Sequence, residues 1–257
     1  ALLLPIFSIN KSQIIAFPLT GFSLQWFETL LYQDTLHEAL KNSLIVAISS
    51  CTLATILGTL ASRSATRYDF KGKQISLTFI LAPLILPEII VGVSLLIVLI
   101  QLGLSLNIWS VILGHTLLIM PFSIIIMNSA FNNLDVSLEE ASMDLGENRF
   151  GTFYRVILPL VFPGIIASLL IGFTLSLDEF IIAFFLTGTD TTLPVYIWSQ
   201  FRFPKKLPTT MALGTILIFV SLILLSISEY YRRRTYSKDL VLSTEKEPTK
   251  PIKINKD

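Results

Sequence analysis

The chain has 257 residues, of which 53% are apolar and only 14% charged, and its formal net charge is +1. A soluble domain usually has roughly 45–50% apolar and about 25% charged residues, so this composition argues against a soluble protein. The single cysteine, Cys51, excludes an internal disulfide, and no Cys/His spacing typical of a metal or redox site occurs.

The apolar residues occur in uninterrupted blocks. Roughly 20 apolar residues cross the hydrocarbon core as a helix, and unbroken runs do not fit the alternating pattern of a barrel. The blocks, none of which contains Lys or Arg, are 42–62, 76–101, 108–130, 160–186 and 209–228. Residues 1–7 are apolar but too few to span. They fit either a short interfacial segment or, as we prefer, the end of a first spanning helix whose remainder is missing here.

The distribution of positive charge predicts the orientation. If alternate loops lie on alternate sides, one side receives 63–75, 131–158 and the tail, with 14 of the 19 Lys and Arg residues. Positive loops favour the cytoplasm, so both ends of a six-helix chain are expected inside. The outer side then has two long loops, 10–41 and 187–208. We expect a transmembrane domain over 1–234 and a disordered cytoplasmic tail over 235–257.

Small residues and prolines lie within or next to these apolar blocks. The block 42–62 is rich in Ser, Thr and Gly, which let helix backbones approach closely. Each proline inside or near a block frees a carbonyl and permits a bend. These prolines are Pro83, Pro87, Pro121 and Pro163. The pattern is typical of a packed helical bundle.

The cytoplasmic segment 137–159 contains a short predicted helix. Ser137 followed by Glu140 reads as a capping box, and Gly146 supplies a left-handed end. One face of the helix has Leu138, Ala141, Ser142 and Leu145 at helical spacing. Two turns are not stable alone in water, and the surrounding acidic residues make an anionic lipid surface unattractive. A groove on a partner protein is therefore the expected support.

The same segment resembles the EAA signature of ABC importer permeases, which reads Glu-Ala-Ala, three residues, Gly, nine residues, Ile, one residue, Leu-Pro. Here it is Glu140-Ala141-Ser142, Gly146, Val156 and Leu158-Pro159, with the spacing kept. Ser142 and Val156 are mild departures from the family's Ala and Ile. The resemblance implies a six-helix type I ABC importer permease, with 137–159 as its coupling segment.

In that family the coupling helix sits in a groove of an ATPase subunit. The residues to which the resemblance assigns this contact are Leu138, Glu140, Ala141, Ser142, Leu145 and Gly146. The implied partners are a homologous permease, two ATP-binding cassette subunits, an extracytoplasmic solute-binding protein and the bilayer, with no nucleic acid. No Gly-rich phosphate loop occurs, so we expect a non-catalytic chain without a cofactor, ATP and Mg being bound by the ATPase. The implied location is the bacterial cytoplasmic membrane.

Further stretches are similar to the permeases of spermidine/putrescine importers. They are 115–122, 144–146, 173–179 and 193–197, whereas 203–208 departs from that pattern. The resemblance implies a polyamine as solute, and an amino acid, opine or betaine is the alternative within the same architecture.

Three carboxylates lie in the predicted spans without a cationic side chain: Glu88, Asp178 and Glu179. A charge at mid-bilayer costs roughly 2.5–3.5 kcal/mol and usually lines a pathway or finds a partner. All three are candidates for lining a path for a cationic solute, although Glu88 alternatively occupies a helix break after Pro87. Of the adjacent pair, one faces the path and the other a helix contact, with Asp178 preferred. His115 is expected to be a packed histidine.

The sequence can also be compared with what two other classes of membrane protein would require. A proton- or sodium-driven secondary transporter would use the carboxylates as a relay, but six helices without an inverted repeat are few for such a fold, and the EAA-like segment would be unexplained. An intramembrane enzyme would need paired metal ligands or a nucleophile motif, and neither occurs.

Overall fold

A computed structural model describes residues 3–14, 17–219 and 222. In this part of the chain the regular structure is helical, apart from one isolated antiparallel bridge between Asn10 and Phe22. The prediction of an all-α protein is confirmed. The described part of the chain divides into two compact units: one is Gln33–Arg202, and the other combines the described residues before 33 with those after 202. The predicted tail, 235–257, lies outside the described residues.

Twelve helices follow one another in the described chain. They are α1 (Leu3–Ser8), α2 (Gln25–Leu31), α3 (Asp34–Arg67), α4 (Lys73–Leu81), α5 (Glu88–Gln101), α6 (Ile108–Asn132), α7 (Ser137–Asp144), α8 (Arg149–Thr152), α9 (Leu158–Asp178), α10 (Ile181–Leu186), α11 (Leu193–Gln200) and α12 (207–219). A single π turn, Phe153–Ile157, joins α8 to α9.

In the described chain, three helical stretches are long and apolar enough to cross a membrane: α3, α6, and Arg149–Asp178, which joins α8, the π turn and α9. The segments Lys73–Leu84 and Glu88–Gln101 make a fourth crossing if they are taken together. The predicted blocks 42–62 and 108–130 therefore lie within single helices. The block 209–228 begins in α12 and continues beyond the described residues.

The prediction of one continuous span over 76–101 is wrong. The chain bends by 107° between Lys73–Leu84 and Glu88–Gln101. Pro87 precedes α5 with extended backbone (ψ 132°), and its missing N–H removes a helical hydrogen bond at this point. By contrast, Pro121 and Pro163 lie inside continuous helices.

The predicted span 160–186 is also interrupted. α9 ends at Asp178, Glu179 has an extended backbone (ψ 115°), and α10 then begins at Ile181. The side chain of Glu179 supports this break, because its Oε1 atom accepts a hydrogen bond of 2.7 Å from the Ile182 amide. The interruption places a carboxylate at a helix end.

Close packing of α3, α6 and α9 confirms the prediction drawn from small residues. A Cβ atom on Gly58 would lie only 2.6 Å from Ser123 Cβ, and one on Gly172 would lie 2.8 Å from Ile119. Between the helices, Thr55 and Ser168 hydroxyls are 2.9 Å apart, and Ser168 donates to Ser123 at 2.9 Å. Such close contacts and hydrogen bonds hold the helices together. They are needed because, in a bilayer, an apolar side chain is about as favourable against lipid tails as against another helix.

α10 packs across α5 and α6. Ile182 and Leu186 are fully buried, and both would clash with a Cβ atom on Gly114 of α6. Val91 and Leu99 of α5 belong to the same apolar cluster. This packing fixes α10 and thereby the position of Glu179 just before it.

In the smaller unit, hydrogen bonds organise the segment before α2. Trp26 Nε1 donates to the Asn10 carbonyl at 2.6 Å, and the Asn10 side chain accepts from the backbone and side chain of Thr20, both at 3.3 Å. A Cβ atom added to Gly214 of α12 would lie 3.5 Å from the Leu4 side chain of α1, which is a normal van der Waals distance. Hydrogen bonds and van der Waals contacts thus hold this unit together.

Substituting Gly58 with alanine tests the packing of α3 on α6. The added methyl meets Ser123 Cβ at 2.6 Å and the Ser123 backbone at 3.1 Å, which have no flexible end to move. We expect a loss of about 1–3 kcal/mol in stability, measured as a lower Tm of the complex in detergent. Gly214→Ala is the matched control, because its Cβ meets nothing closer than 3.5 Å and should leave Tm unchanged. Equal Tm values for both variants would contradict the packing argument.

Candidate functional site

The loop helix α7 begins differently from the sequence expectation. The predicted capping box is wrong. Ser137 is already the first residue of α7, so the N-cap position falls on Val136, and no side chain makes a capping hydrogen bond there. Instead, Asp135 Oδ1 accepts a hydrogen bond of 2.9 Å from the Ser137 amide. This bond lowers the pKa of Asp135 from its ordinary value. A turn made by an Asp two residues upstream therefore starts the helix.

The end of α7 agrees with the prediction. Gly146 has φ +93°, in the left-handed region that favours glycine. Its amide donates to the Met143 carbonyl at 2.9 Å, and the Glu147 amide donates to the Ser142 carbonyl at 3.2 Å. These are the two bonds of a Schellman motif, which satisfies the last carbonyls of the helix.

One ion-pair cluster fixes α7 to the end of α3. Both carboxylate oxygens of Glu139 accept from the Arg63 guanidinium at 2.7 Å, and Arg67 Nε lies 3.2 Å from Glu139 Oε2. Glu139 is only 7% exposed, and the Arg63 guanidinium lies 5.8 Å from the centre of the Phe131 ring. Bidentate pairs of this kind are among the stronger side-chain interactions.

The charges of this cluster shift the titration of Glu139. Hydrogen bonds from Arg63 hold the pKa of Glu139 below its usual range, aided by the charges of Arg63 and Arg67 and opposed by burial. The folded carboxyl thus has a lower pKa than the unfolded one. The ion pair therefore contributes its full share of the stability above the ordinary glutamate pKa. This contribution is lost as the pH falls through the lowered pKa of Glu139.

Three further contacts hold the segment after α7. The Ser142 and Thr152 hydroxyls are 3.1 Å apart and buried, and Arg155 pairs with Glu147. Asn148 accepts from the Gly151 amide at 2.8 Å and caps α8. Ser142 consequently faces its own chain and does not share the exposed side of α7 with the other predicted contact residues.

An apolar surface is exposed on this segment. Leu145 is 88% exposed, Phe150 78% and Tyr154 64%, and Leu138 is also exposed. Among the other predicted contact residues, Glu140, Ala141 and Gly146 are exposed as well. We call Leu138, Ala141, Leu145, Phe150 and Tyr154 the loop patch.

A cavity of about 180 Å³ lies near the two helix breaks. Its polar wall consists of Glu88, His115, Ser176 and Glu179, and no Lys or Arg lines it. The remaining lining residues are Pro83, Leu84, Leu86, Leu118, Ile119, Phe122 and Leu175. The cavity therefore combines an apolar body with two carboxylates and one imidazole.

The break before α5 and the break after α9 supply the two carboxylates. Glu88 is the first residue of α5 and is exposed, so it lies at the bend and not in the middle of a span. Glu179 is partly buried, and only its Oε1 atom is used by the Ile182 amide. The adjacent Asp178 is exposed and does not line the cavity. Of this pair, Glu179 thus faces the cavity.

His115 joins three long helices at the same wall. Its Nδ1 atom lies 2.7 Å from Ser176 Oγ of α9, and Ser50 of α3 donates to the same oxygen at 3.2 Å. The ring is 1% exposed. The sequence suggested only a packed histidine, and nothing in the local pattern indicates that this ring reaches the wall containing Glu88 and Glu179.

Known proteins with similar chains share this architecture. Residues 54–236 match the family described as binding-protein-dependent transport system inner membrane component. The spermidine/putrescine transport system permease protein PotC of Escherichia coli (strain K12) is 33% identical over 83% of this chain and 81% of that protein. The putrescine transport system permease protein PotI of the same strain is 35% identical over 84% and 79%, respectively.

A solved structure agrees with the fold. A chain in the crystal structure of a bacterial ABC transporter that imports the acidic polysaccharide alginate superposes with a TM-score of 0.69, covering 89% of this chain and 88% of that one. The sequence identity is 16%, so this likeness concerns the fold alone.

These findings define the class of protein as a multi-pass permease. The chain belongs to the family of inner-membrane components of binding-protein-dependent transport systems. It is a permease subunit of an ABC importer, working with ATPase subunits and a solute-binding protein. Such a subunit is not catalytic, and ATP hydrolysis belongs to the separate ATPase.

Neutralising Glu139 tests the ion-pair cluster. In Glu139→Gln both arginines lose a charge-assisted partner, which we expect to cost about 1.5–3 kcal/mol and to raise the undocked fraction of α7 at least about tenfold. A spin label at exposed Ser137, in a chain lacking Cys51, measures this as mobility. Acidification of the parent chain through the lowered pKa should have the same effect.

Glu140→Gln is the matched control for this substitution, because Glu140 lies next to Glu139 but is exposed. It should leave the mobility of the label unchanged. An immobile label in Glu139→Gln, or equal mobility in the two variants, would show that the cluster does not hold α7.

Proposed function

We propose that this permease subunit moves a small cationic solute, a polyamine such as spermidine or putrescine, into the cytoplasm. The observation that carries the proposal is the cavity wall, which has Glu88 and Glu179 and no Lys or Arg. Two carboxylates without a resident counter-ion suit a solute that brings its own positive charge. The names of the similar permeases support the same cargo.

The position of the carboxylates at helix breaks supports a transport path. Backbone that leaves the helical pattern at membrane depth is tolerated where it is buried in protein or lines a cavity. Glu88 follows one such break, and Glu179 lies in the other. Asp178 is exposed beside Glu179, and we assign it to the same path, on the side that faces outward from this chain.

The loop patch is the proposed seat of the ATPase. Its apolar side chains are exposed on α7 and on the segment that follows it, and α7 is anchored to α3 by Glu139. A push on α7 by a closing ATPase would therefore reach α3 through Arg63 and Arg67. Leu138, Glu140, Ala141, Leu145 and Gly146 are available for this contact, whereas Ser142 supports the loop from within.

The proposed assembly pairs this chain with a homologous permease as a heterodimer. Two ATPase subunits bind ATP and Mg²⁺ on the cytoplasmic side, where the loop patch and the C-terminus lie. The solute-binding protein docks outside on 10–41 and 187–208. The excess of Lys and Arg on one side of the chain supports this orientation in a bacterial cytoplasmic membrane.

Uptake by the reconstituted complex tests the function. Proteoliposomes containing both permeases and the ATPase, with the binding protein outside, should accumulate labelled putrescine or spermidine only when ATP is enclosed. Glu179→Gln should raise the KM for putrescine about tenfold or more, because a charge-assisted contact is lost while the amide oxygen still caps α10. Asp178→Asn should have a smaller effect on KM.

The outcomes separate the alternatives. Accumulation of amino acids or betaines instead of polyamines would refute the cargo but not the importer. Accumulation driven by an ion gradient without ATP would refute the importer. A wild-type KM in Glu179→Gln would remove this carboxylate from the path.

The loop patch has its own test. Leu145→Asp places a charge on an 88% exposed side chain, so the permease should fold while its affinity for the ATPase falls about tenfold or more. Leu102→Asp is the control, because Leu102 is 67% exposed at the other end of the bundle, after α5. Co-purification of the ATPase with each variant measures the difference. Equal recovery would show that the ATPase docks elsewhere.

A further inference from the structure

One of the residues that line the cavity, His115, has a buried ring nitrogen, Nε2, without a hydrogen-bond partner among the described residues. The other ring nitrogen is held by Ser176 Oγ at 2.7 Å, so the imidazole cannot rotate without losing that bond. Leaving a buried polar atom without a partner is costly, and because His115 also lines the cavity, a bound molecule is the partner that we consider for Nε2.

The hydroxyls around His115 allow Nε2 to be an acceptor. Ser176 Oγ has two lone pairs and accepts from Ser50 with one of them. The second can accept from His115 when the imidazole proton is on Nδ1. In that tautomer Nε2 presents a lone pair to the cavity. Ser50 and Ser176 are themselves buried, so this orientation is held by α3 and α9.

The acceptors of the cavity match the donors of one ammonium group. A primary ammonium has three N–H donors. The wall offers Glu88, the oxygen of Glu179 that does not bind Ile182, and His115 Nε2. The volume also fits, because a cavity of roughly 150 Å³ takes up benzene, with about six heavy atoms. One aminoalkyl end of a polyamine is of this size.

We propose that His115 is a specificity-determining residue that accepts a hydrogen bond from an ammonium group of the cargo through Nε2, with Ser176 as its positioning residue. This inference rests on the proposed function. A neutral acceptor distinguishes an N–H donor from a quaternary ammonium of equal charge, which has no N–H and which the two carboxylates alone attract without distinction.

Two variants separate this role from a structural one. An asparagine amide takes the place of Nδ1 and keeps the Ser176 contact, whereas a glutamine amide reaches the place of Nε2 and keeps the acceptor. We expect His115→Asn to raise the KM for putrescine about tenfold with little change in maximal rate, and His115→Gln to stay within about threefold of wild type. The reverse order, or equal KM values, would overturn the proposal.

A spectroscopic measurement uses the native ring and does not depend on folding of the variants. The chain has two histidines, so His37→Gln leaves His115 as the single source of a histidine signal. In a complex in which only this chain is ¹⁵N-labelled, putrescine should move the Nε2 resonance while Nδ1 remains protonated. Tetramethylammonium should not move it. An Nε2 resonance that is protonated, or insensitive to putrescine, would overturn the proposal.

Failure of the two proposals can be told apart. If the wild-type complex transports polyamines but the asparagine and glutamine variants do not differ, only the role of His115 is refuted. If the wild-type complex transports no polyamine, the proposed cargo is refuted and the role of His115 with it.

Discussion

The ion pair of Glu139 with Arg63 and Arg67 is the contact that fixes α7 to the helix bundle, and the coupling proposed above depends on it. α7 is a helix of two turns that would not hold its place alone, and Glu139 anchors it to the last two turns of α3. The carboxylate is almost fully buried, so separating the pair would leave charge without water or partner. In the proposed coupling, movement of α7 is therefore passed to α3. Because α3 packs closely on α6 and α9, the same proposal extends this movement to the helices that surround the cavity.

The bundle combines close packing with interruption. Gly58, Gly172 and the hydroxyls between α3, α6 and α9 bring three long helices together so tightly that a methyl group does not fit at the glycines. By contrast, the helical structure is interrupted before α5 and after α9, and the cavity lies at these interruptions. A rigid group of helices next to broken ones is suited to a path that opens and closes, because the breaks absorb a change in direction while the packed helices keep their shape.

Much of this protein was accessible from the order of its residues. The apolar blocks predict the helices α3, α6 and α9, the spacing of Gly146 predicts the end of α7, and the EAA-like segment indicates the family to which the chain belongs. These features are local, since hydrophobic length and a left-handed glycine act over a few residues. The capping box at Ser137 was wrong because Asp135, two residues before, competes for the same amide and binds it.

The sequence by itself therefore determined an all-α membrane permease with a short helix in the loop between α6 and α9, because burial in lipid and helix ends are encoded locally. Only the tertiary structure decided that 76–101 is two helices at 107°, that Glu179 lines the cavity while Asp178 does not, and that Glu139 binds Arg63. The reason is physical: neighbouring residues on a helix point about 100° apart, and a break at Glu179 changes that direction in a way that no periodicity reveals. Likewise, His115 meets Ser176 only because α6 and α9, which are far apart in sequence, pack against each other.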